Sequence, residues 1–325
     1  MDIRHLRYFI AISEEKSLSA AAHRLGVAQP SLSQHVIKLE QELGVPLIIR
    51  SPRGILVTEE GHRLVRHARE ISHQMDICIA EMREAAGTVR GNVAFGMPPS
   101  ISMVLSVPLA ETVRVELPEV RLRAIEAMSG FVRSWIADQT VDIGFLYDID
   151  PKDHFDITHI LDERLCFFAA PDNWPLATPP GAPVALAALA ALELILPSPS
   201  HGLRKTIDKH ARGQGITLNV VLEMDAMTQI KELVARGSGH TIFSPAAAHD
   251  FVARGELVKS TIINPDMARP VYLVTNPEKA RSKACRAVEQ LTLEVTRDLV
   301  RRGIWEGQLI EASADTPRPR DLRLT

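Results

Sequence analysis

Gln29, Ser31, Ser33, Gln34 and Lys38 fall within ten residues of one another. Their side chains suit the reading of a duplex: amides and hydroxyls pair with base edges in the major groove, and an ammonium holds a phosphate. Helical spacing puts them opposite Leu32, Val36 and Leu39, so one face is polar and the other apolar. Pro30 suits the first turn of a helix, where a missing N–H costs nothing, and neighbouring amides stay free to meet a phosphate. The competing reading is an ordinary solvated helix face.

Three helices are expected to position that face. Ile3, Leu6, Phe9, Ile10 and Ile12 mark an amphipathic first helix with Asp2 as its cap. Ser17 caps LSAAAHRLG, which Gly26 stops, and SLSQHVIKLEQELG runs to Gly44. Small side chains at Ala20, Ala21 and Ala22 let the second helix approach its neighbour closely, while Leu25 and Val27 join the shared core. The β-prone runs Leu47 to Ile49 and Ile55 to Val57 flank RSPRG, a turn signal, and so predict a hairpin. Its Arg50 and Arg53 would reach the DNA backbone or an adjacent narrow minor groove. Residues 1–58 hold seven Lys or Arg against five Asp or Glu, so attraction to DNA depends on placement rather than bulk charge.

From Glu59 a helical pattern runs to Ala86 before Gly87 ends it. Leu64, Ala68, Ile71, Met75, Cys78, Met82 and Ala85 alternate at spacings of four and three, the seam of a two-helix coiled coil. The alternative is a helix packed on its own domain. Beyond Gly91 strands alternate with helices, the rhythm of a parallel sheet: strands Val93–Met97, Val120–Ile125 and Val141–Tyr147, helices Ile101–Val115 and Ser129–Ala137. A second set follows, with strands near Leu165–Ala170, Leu192–Leu196, Leu218–Glu223 and Thr241–Phe243, and helices near Leu203–Arg212, Met227–Arg236 and Pro245–Arg254. Strands near Leu257–Ile263 and Val271–Val274 and a helix from Lys279 to about Arg301 have no third lobe to join and are read as the return to the first. The expected domains are therefore a DNA-binding unit over 1–58, a dimerising linker over 59–88 and a regulatory domain over 89–302. Lobe I of that domain takes 89–163 and 265–302, and lobe II takes 164–264. Residues 303–325 are polar and proline-containing and are read as a flexible tail.

The stretch from RHLRYFIAIS through SLSQHVIKLEQELGVPLIIRSPRGILVTEEG resembles, motif by motif, the DNA-binding segment of the LysR-type transcriptional regulators. The order that follows, linker helix and then two-lobed α/β domain, extends the resemblance over nearly the whole chain. GMPPSISMVLSVPLAETVRVELPEVRLRAIEAMSGFVRSWIADQTVDIGFLYD is similar to the branch of the nitrogen assimilation control regulator. The resemblance implies an amino-terminal winged helix-turn-helix, a coiled-coil linker helix and a carboxy-terminal domain like type 2 periplasmic binding proteins, with an effector cleft between the lobes. It also implies promoter DNA and RNA polymerase as partners and a homotetramer built as a dimer of dimers. Control without any small-molecule effector stays open for that branch.

If the lobes are hinged, the cleft is lined by loops at the carboxyl ends of strands. Pro99, Ser100 and Ser102 open one helix, whose free amides and positive end favour an anion. Ser129 stands in the same relation to the next helix, and Tyr147 ends the third strand. From lobe II, Ser198, His201 and Arg204 lie at a loop and helix start, with Thr228 near another. Plain helix capping by Ser100, Ser129 and Thr228 is the competing reading, and Arg204 equally suits a surface charge.

Rival classes find little support. No GxSxG, P-loop, HExxH or dinucleotide-type glycine cluster occurs, so no catalytic residues and no cofactor are expected. A solute-binding module lacks the signal peptide that export would need, and no run of eighteen apolar residues suggests a membrane span, so the expected location is the cytoplasm. The composition is that of a globular chain, 46% apolar and 24% charged with net charge -3. Cys78, Cys166 and Cys285 form no CxxC pair and are expected as reduced, mostly buried thiols, and no metal site is expected.

Overall fold

The computed structural model of this 325-residue chain describes residues 1–51, 54–83 and 89–310. At the amino terminus α1 (Ile3–Glu15), α2 (Leu18–Leu25) and α3 (Gln29–Leu43) pack around Phe9, Ile12, Ala21, Ala22, Leu32, Val36 and Leu39, all nearly excluded from solvent. The caps lie where the sequence puts them. Asp2 accepts the His5 N–H at 2.9 Å, Ser17 accepts that of Ala20, and Gly26 and Gly44 end their helices in the left-handed region. A hairpin follows, β1 (Ile48–Ser51) paired antiparallel with β2 (Gly54–Val57). Glu40 of α3 anchors it by accepting the N–H groups of Leu47 and Ile48 at 2.8 and 3.2 Å.

The long helix α4 (Glu59–Arg83) starts under a Thr58 cap, whose hydroxyl accepts the Gly61 N–H. Gly61 is required there because a Cβ would collide with the Leu47 carbonyl. The expected seam divides in two. Leu64 packs on the helix's own domain and Ala68 is buried, whereas Ile71, Met75, Cys78 and Met82 are exposed. Cys78 thus departs from the expected burial, and Ala85 and the end of the linker lie outside the described residues. Arg69 of α4 ties the domains together, 3.2 Å from Glu14 of α1 and 3.7 Å from Asp138 of the next domain.

Lobe I is built on β3 (Arg90–Met97), β4 (Glu119–Glu126), β5 (Ile143–Leu146) and β6 (Asp156–Arg164), with α5 (Pro99–Glu116) and α6 (Ser129–Ala137) between strands. Lobe II holds β7 (Cys166–Ala169), β8 (Val184–Ala185), β9 (Leu194–Leu196), α7 (Gly202–Gly213), β10 (Val220–Glu223), α8 (Met227–Ala235), β11 (Thr241–Phe243), α9 (Pro245–Ala253) and β12 (Val258–Ile263). The chain then returns to lobe I with β13 (Ala268–Thr275), α10 (Lys283–Arg301) and β14 (Gln308–Leu309). The lobe I sheet runs β14-β6-β13-β5-β3-β4, with β3 parallel to both β4 and β5 and β13 antiparallel to β5 and β6. It is mixed rather than purely parallel, because the returning strand enters from the opposite end.

Three expectations change. The strand over Val258–Ile263 does not return to lobe I but pairs with β7 inside lobe II, so of the three elements expected to return only β13 and α10 do so. Strand β6 was not foreseen: its sequence, DITHILDER, is too polar to read as a strand, and it is held by β13 on one side and β14 on the other. The tail read as flexible from Gly303 is ordered through Ile310, with Trp305 fully buried in the lobe I core and β14 completing the sheet edge.

Candidate DNA interface and interlobe site

Helix α3 turns its polar groups outward. Gln29, Pro30, Ser31, Gln34 and Lys38 are exposed and Ser33 is half-buried, while Leu32, Val36 and Leu39 face the core. No side chain caps the start of α3, so its first amides have no side-chain acceptor. The exposed Arg50 donates from Nη2 to Ser33 Oγ at 2.9 Å, which places the hairpin's guanidinium against the middle of the helix. The structure thus places Arg50 and the polar residues of α3 side by side. Arg53 lies outside the described residues.

Between the lobes, the parallel β5, β3 and β4 deliver Tyr147, Pro99 with Ser100 and Ser102, and Ser129 to one rim. Ser100 and Tyr147 meet, the phenol donating to Ser100 Oγ at 3.2 Å. The capping alternative fails for the three hydroxyl residues: the caps of α5, α6 and α8 are Pro98, Met128 and Ala226, and none makes a side-chain cap bond. From lobe II, Ser198 donates its N–H to the Asp225 carboxylate at 2.9 Å and shares a hydroxyl contact with Ser200. His201 is buried and caps α7, its Nδ1 accepting the Leu203 N–H at 3.1 Å. Thr228 is exposed. Arg204 departs from its expected role as an anion donor, since it is already engaged by Asp208, Glu223 and the Pro197 carbonyl at 2.9 to 3.0 Å.

Below this rim lies a group of residues that sequence reasoning missed. The carboxylate of Glu163, fully buried at the end of β6, accepts from Arg269 Nε at 2.5 Å, from Ser244 Oγ at 2.8 Å and from Trp305 Nε1 at 3.0 Å. These donors come from the returning strand, from lobe II and from the carboxy-terminal segment. Arg269 also donates to Ser100 Oγ at 3.1 Å and stacks on the Tyr147 ring, 3.6 Å from its centroid. Burial raises the Tyr147 phenol far above its ordinary range, so it stays a donor. Burial opposes the charge on Arg269, but the Glu163 carboxylate and the Tyr147 ring keep its guanidinium protonated. The rim is thereby wired to a contact between the lobes. Glu163 and Arg269 are 106 residues apart, and only a charge immediately before the apolar run PVYLV hints at either.

Burial pushes the thiols of Cys166 and Cys285 up to about 11 and about 12, which leaves them poor nucleophiles. Among the described residues no helix is long and apolar enough to cross a membrane.

Comparison with known proteins supplies the context for both sites. The family described as LysR substrate binding domain matches residues 86–297, and the bacterial regulatory helix-turn-helix protein, lysR family, matches residues 3–62. The nitrogen assimilation regulatory protein nac of Klebsiella aerogenes is 29% identical over 296 residues, covering 91% of this chain and 95% of the relative. The HTH-type transcriptional regulator BbuR of Bordetella bronchiseptica is 27% identical over 307 residues, covering 94% of each. A full-length OxyR variant from Pseudomonas aeruginosa shares the fold with a TM-score of 0.74 at 19% identity, covering 98% of this chain and 99% of that one. Full-length CbnR in complex with its target DNA does so with a TM-score of 0.62 at 21% identity, covering 92% and 99%.

Proposed function

Because this chain belongs to the LysR family, we propose that it reads promoter DNA through α3 and the hairpin and takes its signal at the rim between the lobes. It is a transcription regulator with a helix-turn-helix and an effector-binding domain, not an enzyme. Gln29, Ser31, Ser33 and Gln34 contact base edges. Pro30 sets the helix start against a phosphate, and Lys38, Arg50 and Arg53 bind the backbone or adjacent minor groove. The single observation that carries this reading is the outward polar face of α3, buttressed by α2 and joined to Arg50 through Ser33. CbnR, a relative in fold, is known bound to its target DNA.

The division of labour follows the domains: 1–58 for DNA, 59–88 for self-association and 89–310 for regulation. The exposed row Ile71, Met75, Cys78 and Met82 supports a second copy packed along α4. A dimer of dimers, RNA polymerase as a further partner and a cytoplasmic location complete the proposal. A small metabolite, carboxylates among the candidates, binds among Pro99, Ser100, Ser102, Ser129, Tyr147, Ser198, His201 and Thr228. Arg204 is left out because its guanidinium is engaged.

Selection from a randomised duplex library with the full chain tests the DNA reading. The expected result is one enriched, partly palindromic sequence whose affinity falls steeply with salt. Equal binding to enriched and shuffled duplexes would sink it.

A further inference from the structure

One donor at the interlobe rim has no acceptor. Because His201 Nδ1 accepts the Leu203 N–H, the ring proton sits on Nε2. That nitrogen is buried and unpartnered among the described residues, on a side chain whose residue is only 7% exposed. Burying an N–H without an acceptor is unfavourable, and proteins seldom leave one so unless a ligand or function uses it. The ring lies near enough to Arg269, on the strand that returns to lobe I, to feel its charge. Arg269 in turn touches Ser100, the second residue of the uncapped helix α5, and Ser102 one turn-step on is 8% exposed. The rim therefore offers donors from both lobes.

Those donors are uncharged. Burial holds the imidazole below the usual histidine range, Arg269 adds to the effect and Asp225 opposes it, so the ring is neutral near pH 7. The two guanidinium groups of the neighbourhood are already spent, Arg269 on Glu163 and Arg204 on Asp208 and Glu223. A doubly charged anion brought here would lose its water and gain no free cation, whereas a carbonyl-type oxygen needs only hydrogen bonds.

We propose that His201 Nε2–H is the lobe II donor for the effector, and that it receives a carbonyl-type oxygen, from an amide or a single carboxylate, rather than a phosphate or a dicarboxylate. This rests on the rim being an effector site. The test is thermal unfolding of the full chain with size-matched probes: benzamide, benzoate, phenyl phosphate and phthalate, with the corresponding butyl series. The expected result is a raised midpoint from an amide or monocarboxylate only, since a ligand that binds the folded state must raise it. His201→Phe is expected to weaken that binding about tenfold, and His201→Gln, which keeps an N–H donor, to retain it. Preference for phosphate or phthalate, unchanged binding in His201→Phe, or a flat response to every probe overturns the assignment. Ser102→Trp, which fills the rim, separates the two readings. Binding that survives His201→Phe but not Ser102→Trp removes only the histidine's role, and binding that survives both removes the interlobe site.

Discussion

The α3 face and the Glu163 junction are both dense in polar side chains, and they spend them in opposite ways. On α3 the amides, hydroxyls and Lys38 point to solvent, and the bond from Arg50 to Ser33 draws on a single one of them. At the junction every strong group is consumed by another: Glu163 accepts three donors, and Arg269 divides itself between Glu163, Ser100 and the Tyr147 ring. A face whose hydrogen bonds go to water can exchange them for a partner at little net cost. A buried network with all its bonds made holds a geometry and resists change. An open face and a closed network are thus built from chemically similar residues that differ in burial.

The largest break in this comparison is Glu163→Ala. It strands the Arg269 guanidinium in the interior, and removing one member of a buried pair costs about 3–5 kcal/mol. Urea unfolding of the full chain should show that loss, with a smaller one of about 2 kcal/mol for Ser244→Ala, which removes a single neutral donor to that charged acceptor. A loss below about 1 kcal/mol for Glu163→Ala would mean that the junction is no more committed than the exposed face.

Gln34→Ala should give the reverse profile. Its amide is exposed, so stability is expected to move by less than about 0.5 kcal/mol, while affinity for the selected duplex falls by about 1–3 kcal/mol if the amide reads a base. Fluorescence anisotropy against matched and mismatched duplexes checks it. Equal losses on both duplexes would move Gln34 from base reading to backbone positioning.

The same contrast governs how much was legible in the sequence. Asp2, Ser17, Gly26 and Gly44 set the limits of α1 to α3 through contacts within four residues, so local rules suffice to place the α3 face. The rim was legible in part, because parallel strands bring their carboxyl ends to one edge whatever the side chains do. The junction was hidden. Glu163 sits in a strand too polar to be recognised alone, Arg269 is one charge in an apolar run, and Trp305 follows Gly303, which reads as a stop. Each is buried by a segment distant in the chain, and no local period records that. Arg204 shows the converse error: its position near a helix start suggested a free cation, but Glu223 on the neighbouring strand claims it.

Acid should act on the two regions unequally. Burial holds His201, His210 and His240 of lobe II below their ordinary pKa, against His35 alone in the DNA-binding unit. For each, the unfolded chain takes up a proton before the folded one does. The contribution to stability is therefore present above the ordinary histidine value of about 6.5 and is lost as pH falls toward the depressed folded values. Unfolding midpoints between about pH 7 and about pH 5 should decline, and His201→Phe should flatten the decline. A midpoint that rises on acidification would contradict the assigned neutral, buried rings.

Arg50 carries the smallest expected effect and the sharpest test of whether hairpin and helix act as one reader. Exposed and singly bonded, it should contribute little to stability, and Arg50→Ala should lower affinity for every duplex alike and reduce the slope of log affinity against log salt by about one. Ser33→Ala alone should leave that slope unchanged, because a hydroxyl releases no counterion. If the 2.9 Å bond aims the guanidinium at the phosphate, the two substitutions together cost less than the sum of their separate costs, since an Arg50 freed from Ser33 has already lost part of its benefit. Strict additivity would show that the wing finds its phosphate unaided, and the α3 face would then stand as an independent surface, even less committed to internal bonds than the comparison with Glu163 requires.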